Sequence, residues 1–355
     1  MGGFLRLCAS VSLSTVMACG VSGAAAADTL LRWTEGSADR GPRAESFHWF
    51  ADTVSERTGK QVEFQFYFGG ALMGHAANVT GIGDGAADIG QIIASYTPKE
   101  LLPYSVGDLP LVGADPWVGA RAMYDLATTH PALIEMFDDL NLVYVSNLTT
   151  GPVQFICKGI GAKSLDAFKG VKARASGVYG LALADLGANV ISLSQEDVYS
   201  ALDTGLVSCN QQYVQGVLSY RQHEVTDQII LTNWGQILGY GVVMNKDTFD
   251  ELTPEQQRIV RETGREFVDH YVQVMMRDAE LAKQKLATEG GLQVVELSEQ
   301  DVQKLDALSQ RYVRKWIDDS SAAGVPAQDL FDKFMQASDK YRKVLDEQGY
   351  PWARK

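Results

Sequence analysis

Arg174 is the residue with the clearest chemical opportunity. It lies at the end of a strand read at 171–175 and precedes a Ser176-Gly177 turn into a helical pattern. In open α/β sheets, ligands collect beyond the carboxyl ends of strands. An arginine at such a place offers a planar fork matched to a carboxylate; the alternative is an arginine in an ordinary surface ion pair. Groups for catalysis are harder to find. His48, His75, His130, His223 and His270 are scattered, with no pair at metal-ligand spacing. There is no Gly-x-Ser-x-Gly elbow and no phosphate loop. Gly81-x-Gly83-x-Gly85 follows helical residues instead of a strand and lacks the third spacing of a dinucleotide loop. The reading names no catalytic residue, no metal and no cofactor.

The elements that must hold Arg174 read as two α/β units. Residues 30–34 and 62–68 are strands, the second from the alternation of Val62, Phe64, Phe66 and Phe68. A helix over 42–58 lies between them, and a helix over 76–84 leads into a buried strand at 89–94. The pattern resumes with strands at 143–146, 153–157, 171–175, 190–191 and 207–209. Helices follow Ser164, span 179–186, and span 195–204, where Ser194 and Asp197 resemble a capping box. Thr253, Pro254 and Gln256 start a helix that nothing interrupts before Gly290-Gly291. About 36 residues give roughly 54 Å, longer than one unit, so this helix is expected to bridge both. Helices at 299–322 and 327–347 end the chain. The fold class is therefore α/β, two-lobed, with a long bridging helix. Lobe I takes 28–150 and 240–279; lobe II takes 151–239 and 280–355.

Charge and leader narrow the setting. Among 355 residues, 44 acids face 31 bases, and a net charge of −13 repels phosphate backbones, so no nucleic-acid partner is expected. Arg6 followed by an uncharged, small-residue stretch ending Ala25-Ala26-Ala27 reads as a signal peptide over 1–27. Its alternatives are a membrane anchor, or lipoprotein processing at Cys19 after Val16-Met17-Ala18. Either way the chain is exported, and a periplasmic protein is expected. Cys8 and Cys19 fall in the leader. Cys157 and Cys209 remain in an oxidising compartment and are read as a disulfide; two separate buried thiols are the alternative. An exported two-lobed chain without nucleophile, metal site or phosphate loop reads as a binding protein with its ligand between the lobes. The rival readings are a ligand-presenting sensor subunit and a secreted hydrolase with paired carboxylates.

Several segments add a family resemblance. Leu-Asp-Ala-Phe-Lys-Gly-Val-Lys-Ala-Arg at 165–174, Leu-Gly-Ala-Asn at 186–189 and Asp-Val-Tyr-Ser-Ala-Leu-Asp-Thr-Gly at 197–205 are three of them. Gly85-Ala86-Ala87-Asp88-Ile89, Asp108-Leu109-Pro110-Leu111, and Val243-Met244-Asn245-Lys246 leading to Leu252-Thr253-Pro254-Glu255-Gln256-Gln257 are others. In this order the chain resembles the solute-binding proteins of tripartite ATP-independent periplasmic (TRAP) transporters, of the C4-dicarboxylate-binding type, over about 30–320. The resemblance puts the family's carboxylate-binding arginine on Arg174. It implies an organic-acid ligand, membrane transporter subunits as partners, and a monomer. Many dicarboxylate binders of this type carry a second arginine in the strand opening lobe II, where this chain has Gly151-Pro152-Val153-Gln154-Phe155-Ile156-Cys157. One cationic anchor favours a monocarboxylate of polar or aromatic character. Gln154, Asn210 and Gln212 are then candidates to bond its hydroxyls or amides, and Tyr213 and Trp234 to wall an apolar part. Glu35, at the end of the first strand, would with Arg174 bridge a zwitterion. Ser95 and Tyr96 lie on the same rim. For each of these, ordinary core, hinge or loop packing is the competing reading.

Overall fold

The computed structural model describes residues 1–2, 29–111, 115–288 and 291–354; the leader reading falls outside them. Lobe I begins with β1 (Thr29–Thr34), α1 (Gly41–Arg57), β2 (Val62–Tyr67), α2 (His75–Gly83), β3 (Ile89–Ile93), α3 (Pro116–Thr129), α4 (Pro131–Asp139) and β4 (Leu142–Asn147). Lobe II holds β5 (Val153–Cys157), β6 (Lys172–Arg174), α5 (Gly177–Asp185), β7 (Asn189–Ile191), α6 (Val198–Asp203), β8 (Cys209–Gln212), α7 (Val214–Ser219) and β9 (Gln228–Trp234). The chain then returns through β10 (Tyr240–Asn245), α8 (Lys246–Glu251), α9 (Pro254–Thr288), β11 (Gln293–Glu296), α10 (Glu299–Ala322) and α11 (Ala327–Gln348). Among the described residues no helix is long and apolar enough to cross a membrane.

Each lobe is built on one sheet, in the orders β2-β1-β3-β10-β4 and β11-β9-β5-β8-β6-β7. Alternation along β1 buries Leu31 and Trp33 and leaves Leu30 exposed. Trp33 then packs on Phe47 (4.8 Å between ring centroids) and Phe66 (5.2 Å), joining α1 to the sheet. The returning strand β10 lies antiparallel between β3 and β4, so lobe I is complete only after the chain has visited lobe II. The two crossings run side by side. Leu148 N–H donates to Tyr240 O (2.7 Å), Thr150 N–H to Ile237 O (3.3 Å) and Val153 N–H to Gly235 O (3.2 Å).

The bridging helix follows its sequence signals. Thr253 N–H donates to Gln256 Oε1 (2.9 Å) and Gln256 N–H to Thr253 Oγ1 (3.3 Å), a closed capping box. Its 35 residues span about 52 Å. Ile259, Phe267, Tyr271 and Met275 enter the lobe I core, whereas Ala282 and Leu286 pack with Ile156, Val217 and Ile229 of lobe II.

Two expectations need correcting. The helix read over 195–204 is a 3-10 turn (Gln195–Asp197) followed by the short α6. The Ser194 hydroxyl is drawn to the Glu196 (2.8 Å) and Asp197 (3.2 Å) carboxylates and makes no backbone cap. The C-terminal helix α11, assigned to lobe II, packs on lobe I: Leu330 and Phe334 lie in that core, and Tyr341 meets Trp117 edge-on at 5.6 Å. Within 280–355, the end of α9 (Ala282, Leu286), β11 (Val295) and α10 (Leu305, Tyr312) supply the lobe II contribution.

Cys157 and Cys209 are register partners on antiparallel β5 and β8, with Cα atoms 4.1 Å apart, and their sulfurs are joined. The bond closes a loop with a sequence separation of 52. Chain entropy alone assigns such a closure about 4 kcal/mol, and measured values run about 2–4 kcal/mol. Reduction and alkylation should therefore lower the unfolding free energy by that range in urea titration. Intact mass before and after reduction should show no free thiol in the exported protein.

Candidate functional site

The cleft between the lobes holds two adjoining, partly open chambers, each with a cavity volume of about 60 Å³. Thr150, Tyr213, Tyr220 and Tyr240 line both. Arg174, Ser95, Tyr96, Gln195 and Glu196 line the first, and Arg40 and Arg43 the second.

Arg174 is the last residue of β6, set between β7 and β8 by pairing with Ile191 and Asn210. It is 3% exposed. Its Nε donates to Leu193 O (2.9 Å), Nη1 to Gln195 Oε1 (3.1 Å) and Nη2 to the Tyr96 hydroxyl (2.9 Å). Among the described residues no carboxylate oxygen lies within 4.0 Å of it. Of the five guanidinium N–H groups, these bonds use three, leaving one on each terminal nitrogen. Two neighbouring groups are in the same condition. The Gln195 amide spends its oxygen on Arg174, and its nitrogen is buried without a partner. The Tyr96 hydroxyl accepts from Arg174 and from Gln195 N–H (3.2 Å), and among the described residues its own hydrogen finds no acceptor. Side chains with unsatisfied donors, from both lobes, thus line one chamber. A carboxylate would supply the acceptors those donors lack.

Glu35 is fully buried and its carboxylate is already spoken for. Oε1 accepts from Ser37 N–H (2.9 Å) and lies 3.4 Å from Arg43 Nε and 3.3 Å from His75 Nε2. In the amide orientation its surroundings require, Gln91 donates to Oε2 (3.0 Å) and accepts from the Tyr240 hydroxyl (2.7 Å). Glu35 lines neither chamber, so the expected bridge from Glu35 through a zwitterion to Arg174 is replaced by an internal role. Glu35 positions Arg43, a second cleft arginine that the sequence reading missed. The signal was present: Arg43, Phe47, Phe50 and Val54 share one face of α1, and all four are buried. Burial opposes the Arg43 charge, yet the adjacent Tyr220 and Glu35 hold its guanidinium more firmly protonated than usual.

The lobes touch across the cleft. Ser37 Oγ donates to Glu196 Oε1 (2.6 Å), His75 Nε2 lies 3.4 Å from the same oxygen, and Arg43 Nη1 donates to the Tyr220 hydroxyl (3.1 Å). Burial works against the Glu196 charge, but the bonds from His75, Ser37 and Ser194 hold its carboxyl well below the usual range. With the Arg174–Tyr96 bond, these contacts define a closed cleft.

The other expected residues separate. Tyr213 and Ser95 line the Arg174 chamber. Asn210 and Gln212 do not line it; both amides donate to Gln222 Oε1 (3.0 and 2.8 Å) inside lobe II. Strand alternation puts these two on one face of β8, while Gln211, on the other, accepts from Ser176 N–H (3.0 Å). Gln154 is tied to Asn233 (2.8 Å) and faces a separate groove beside α9. Trp234 donates to Ser309 Oγ (2.7 Å) and packs on Tyr179 in the lobe II core. Among the described residues no group of three or more His, Cys, Asp or Glu is placed to hold a metal ion.

Comparison with known proteins points one way. The family model "Bacterial extracellular solute-binding protein, family 7" (DctP) matches residues 35–319. A solute-binding protein of Albidiferax ferrireducens is 25% identical over 272 residues, 74% of this chain and 77% of the relative. The fold is similar to that of a TRAP solute-binding protein from Rhodoferax ferrireducens T118, solved with copurified benzoate (TM-score 0.81, 20% identity, 89% of this chain and 99% of that one). It is also similar to one from Sulfitobacter sp. NAS-14.1 with bound β-D-galacturonate (TM-score 0.75, 21% identity, 86% and 99%).

The placement of Glu35 has a measurable consequence. Removing one partner from a buried ionic cluster costs about 3–5 kcal/mol. Glu35→Ala should lose that much stability in urea unfolding. A loss below about 1 kcal/mol would mean that its carboxylate is solvated and not the buried hub for Arg43 and His75.

Proposed function

The chain belongs to bacterial extracellular solute-binding protein family 7, the binding proteins of TRAP transporters, and on that premise we propose that it captures a small cyclic monocarboxylate outside the cytoplasmic membrane and hands it to a membrane permease. The observation that carries the reading is Arg174, buried with a donor open on each terminal nitrogen and no carboxylate of the described protein within reach. A ligand carboxylate placed there takes both donors as a fork and accepts from Gln195 and Tyr96 as well. A single negative charge is favoured because the other buried cleft arginine, Arg43, already faces Glu35. A ring is favoured by the tyrosine walls, Tyr213, Tyr220 and Tyr240, whose faces suit a flat or puckered ring and whose hydroxyls suit polar substituents. Benzoate and galacturonate, held by two proteins of the same fold, each combine one ring with one carboxylate. Export follows from the family, and the leader expected at 1–27 accords with it.

Capture works by closure. A ligand that touches Tyr96 of lobe I and Arg174 of lobe II together stabilises the closed form over the open one. A thermal-shift screen over benzoates, hydroxybenzoates, hexuronates and C4-dicarboxylates should give its largest shifts with cyclic monocarboxylates. Preference for the dicarboxylates would refute the single-charge reading. Uptake into vesicles carrying the permease subunits separates transport from a sensing role that would use the same cleft.

Arg174→Ala should abolish detectable binding of the best ligand and leave the fold intact. Losing a desolvated charge-assisted contact costs on the order of 2–5 kcal/mol, roughly a 30- to several-thousand-fold loss in affinity. Arg174→Lys should recover little, because an ammonium lacks the fork. Titration calorimetry decides: affinity within about threefold of the parent would remove Arg174 as the anchor.

A further inference from the structure

Asp108 closes the 3-10 turn Pro103–Asp108 of lobe I and lines neither chamber. It is 6% exposed. Its Oδ1 accepts from Leu238 N–H (3.1 Å) and Gly239 N–H (2.7 Å). Its Oδ2 is buried with no partner. Both donors lie on the crossing from β9 to β10, between Ile237 and Tyr240, and those two line the Arg174 chamber. The crossing is held close enough that a Cβ on Gly239 would sit 2.8 Å from Ala94 Cβ and 2.9 Å from Asp108 Oδ1. The titratable groups that feel the Asp108 charge are Tyr104 from lobe I and Tyr179 and Tyr213 from lobe II. Among the described residues no lysine, arginine or histidine nitrogen lies within 4.0 Å of its carboxylate.

We propose that Asp108 is a proton-linked clasp on the interlobe crossing, with its neutral acid favouring the closed cleft and its carboxylate favouring the open one. In the closed form Oδ2 is dry and lacks a donor, and Tyr179 and Tyr213 of lobe II feel its charge. Swinging lobe II away gives water a path to that oxygen, and hydration favours the charged form. Burial already pushes the closed-form carboxyl up to about 7, even against the pull of the two backbone N–H bonds. The closed form therefore holds the proton, drawn from solvent, more tightly than the open form. Its advantage is complete below the open form's titration range and is lost as pH rises through about 7. Each unit of difference between the two forms changes the closed-to-open ratio about tenfold.

Asp108→Asn is the direct test. The amide keeps an oxygen for Leu238 and Gly239 but has no proton to lose. Small-angle scattering of ligand-free full-length protein is compared between about pH 5.5 and about pH 8.5. Wild type should expand at the higher pH, and the Asp108→Asn variant should keep one radius throughout. An unchanged wild-type radius overturns the proposal, as does an equal response from the variant. If that variant fails to fold, His75→Gln and Glu196→Gln, the other titratable interlobe contacts, replace it. A response that survives both supports Asp108, and one that either abolishes overturns it. No ligand enters the measurement, so its outcome is independent of which carboxylate the cleft accepts.

Discussion

Taking a guanidinium out of water costs several kcal/mol unless hydrogen bonds and an opposite charge replace the lost hydration, and around Arg174 the described protein supplies only the first. Three acceptors hold the group in place: a backbone carbonyl of the loop after β7, the Gln195 amide and the Tyr96 hydroxyl. Two belong to lobe II and the third to lobe I, so the guanidinium is fully held only when the lobes meet. An anion lowers the energy of that arrangement more than it lowers the energy of an open cleft, where water already solvates the charge. On the proposed reading, closure and anion binding are one event seen from two sides.

The backbone makes that coupling inescapable. Because β10 completes the lobe I sheet and leaves lobe II through residues bonded to the outgoing crossing, neither lobe can rotate without flexing the pair of crossings. The long α9 adds a strut anchored in both cores. The crossings carry Thr150 and Ile237 into the chamber beside Arg174. The proposed ligand chamber and the crossings between the lobes therefore share residues.

What the sequence disclosed and what it hid follow from the range of the forces involved. Local signals were readable: the Thr253 capping box, the alternation that made β2 a strand, the strand end that presents Arg174, and the cysteine pair. The paired α/β units gave the two-lobed architecture. Hidden were features set by register and tertiary packing. Asn210 and Gln212 differ from Gln211 only by the face of β8 they occupy, and the sequence does not say which face meets the cleft. Trp234 was drawn to the cleft by its chemistry and to the core by its register, and the register won. Gln195 carried no motif, since its importance lies in one orphaned nitrogen created by Arg174. The lobe that α11 joins is set by the apolar face that matches α3, not by its sequence proximity to α10.

The acidic character of the chain sharpens the specificity argument. A protein of net charge −13 that takes up an anion works against its own average field. That field is screened within about 8–10 Å at ordinary salt, so it affects the approach of the ligand and hardly its final contact. Inside the closed cleft the effective dielectric is lower and nearby charges dominate. There Arg43 is matched by Glu35, and the ionised Glu196 is held by Ser37 and His75. Among the described residues Arg174 is left as the buried charge those pairings do not balance, while Arg40 reaches the second chamber from an exposed position. On the proposed reading, one buried uncompensated cation in a confined space is the partner of one carboxylate. A second carboxylate on the ligand would meet Glu196 or the spent Arg43–Glu35 pair, and like-charge juxtaposition of that kind rejects wrong partners more firmly than any new contact recruits the right one.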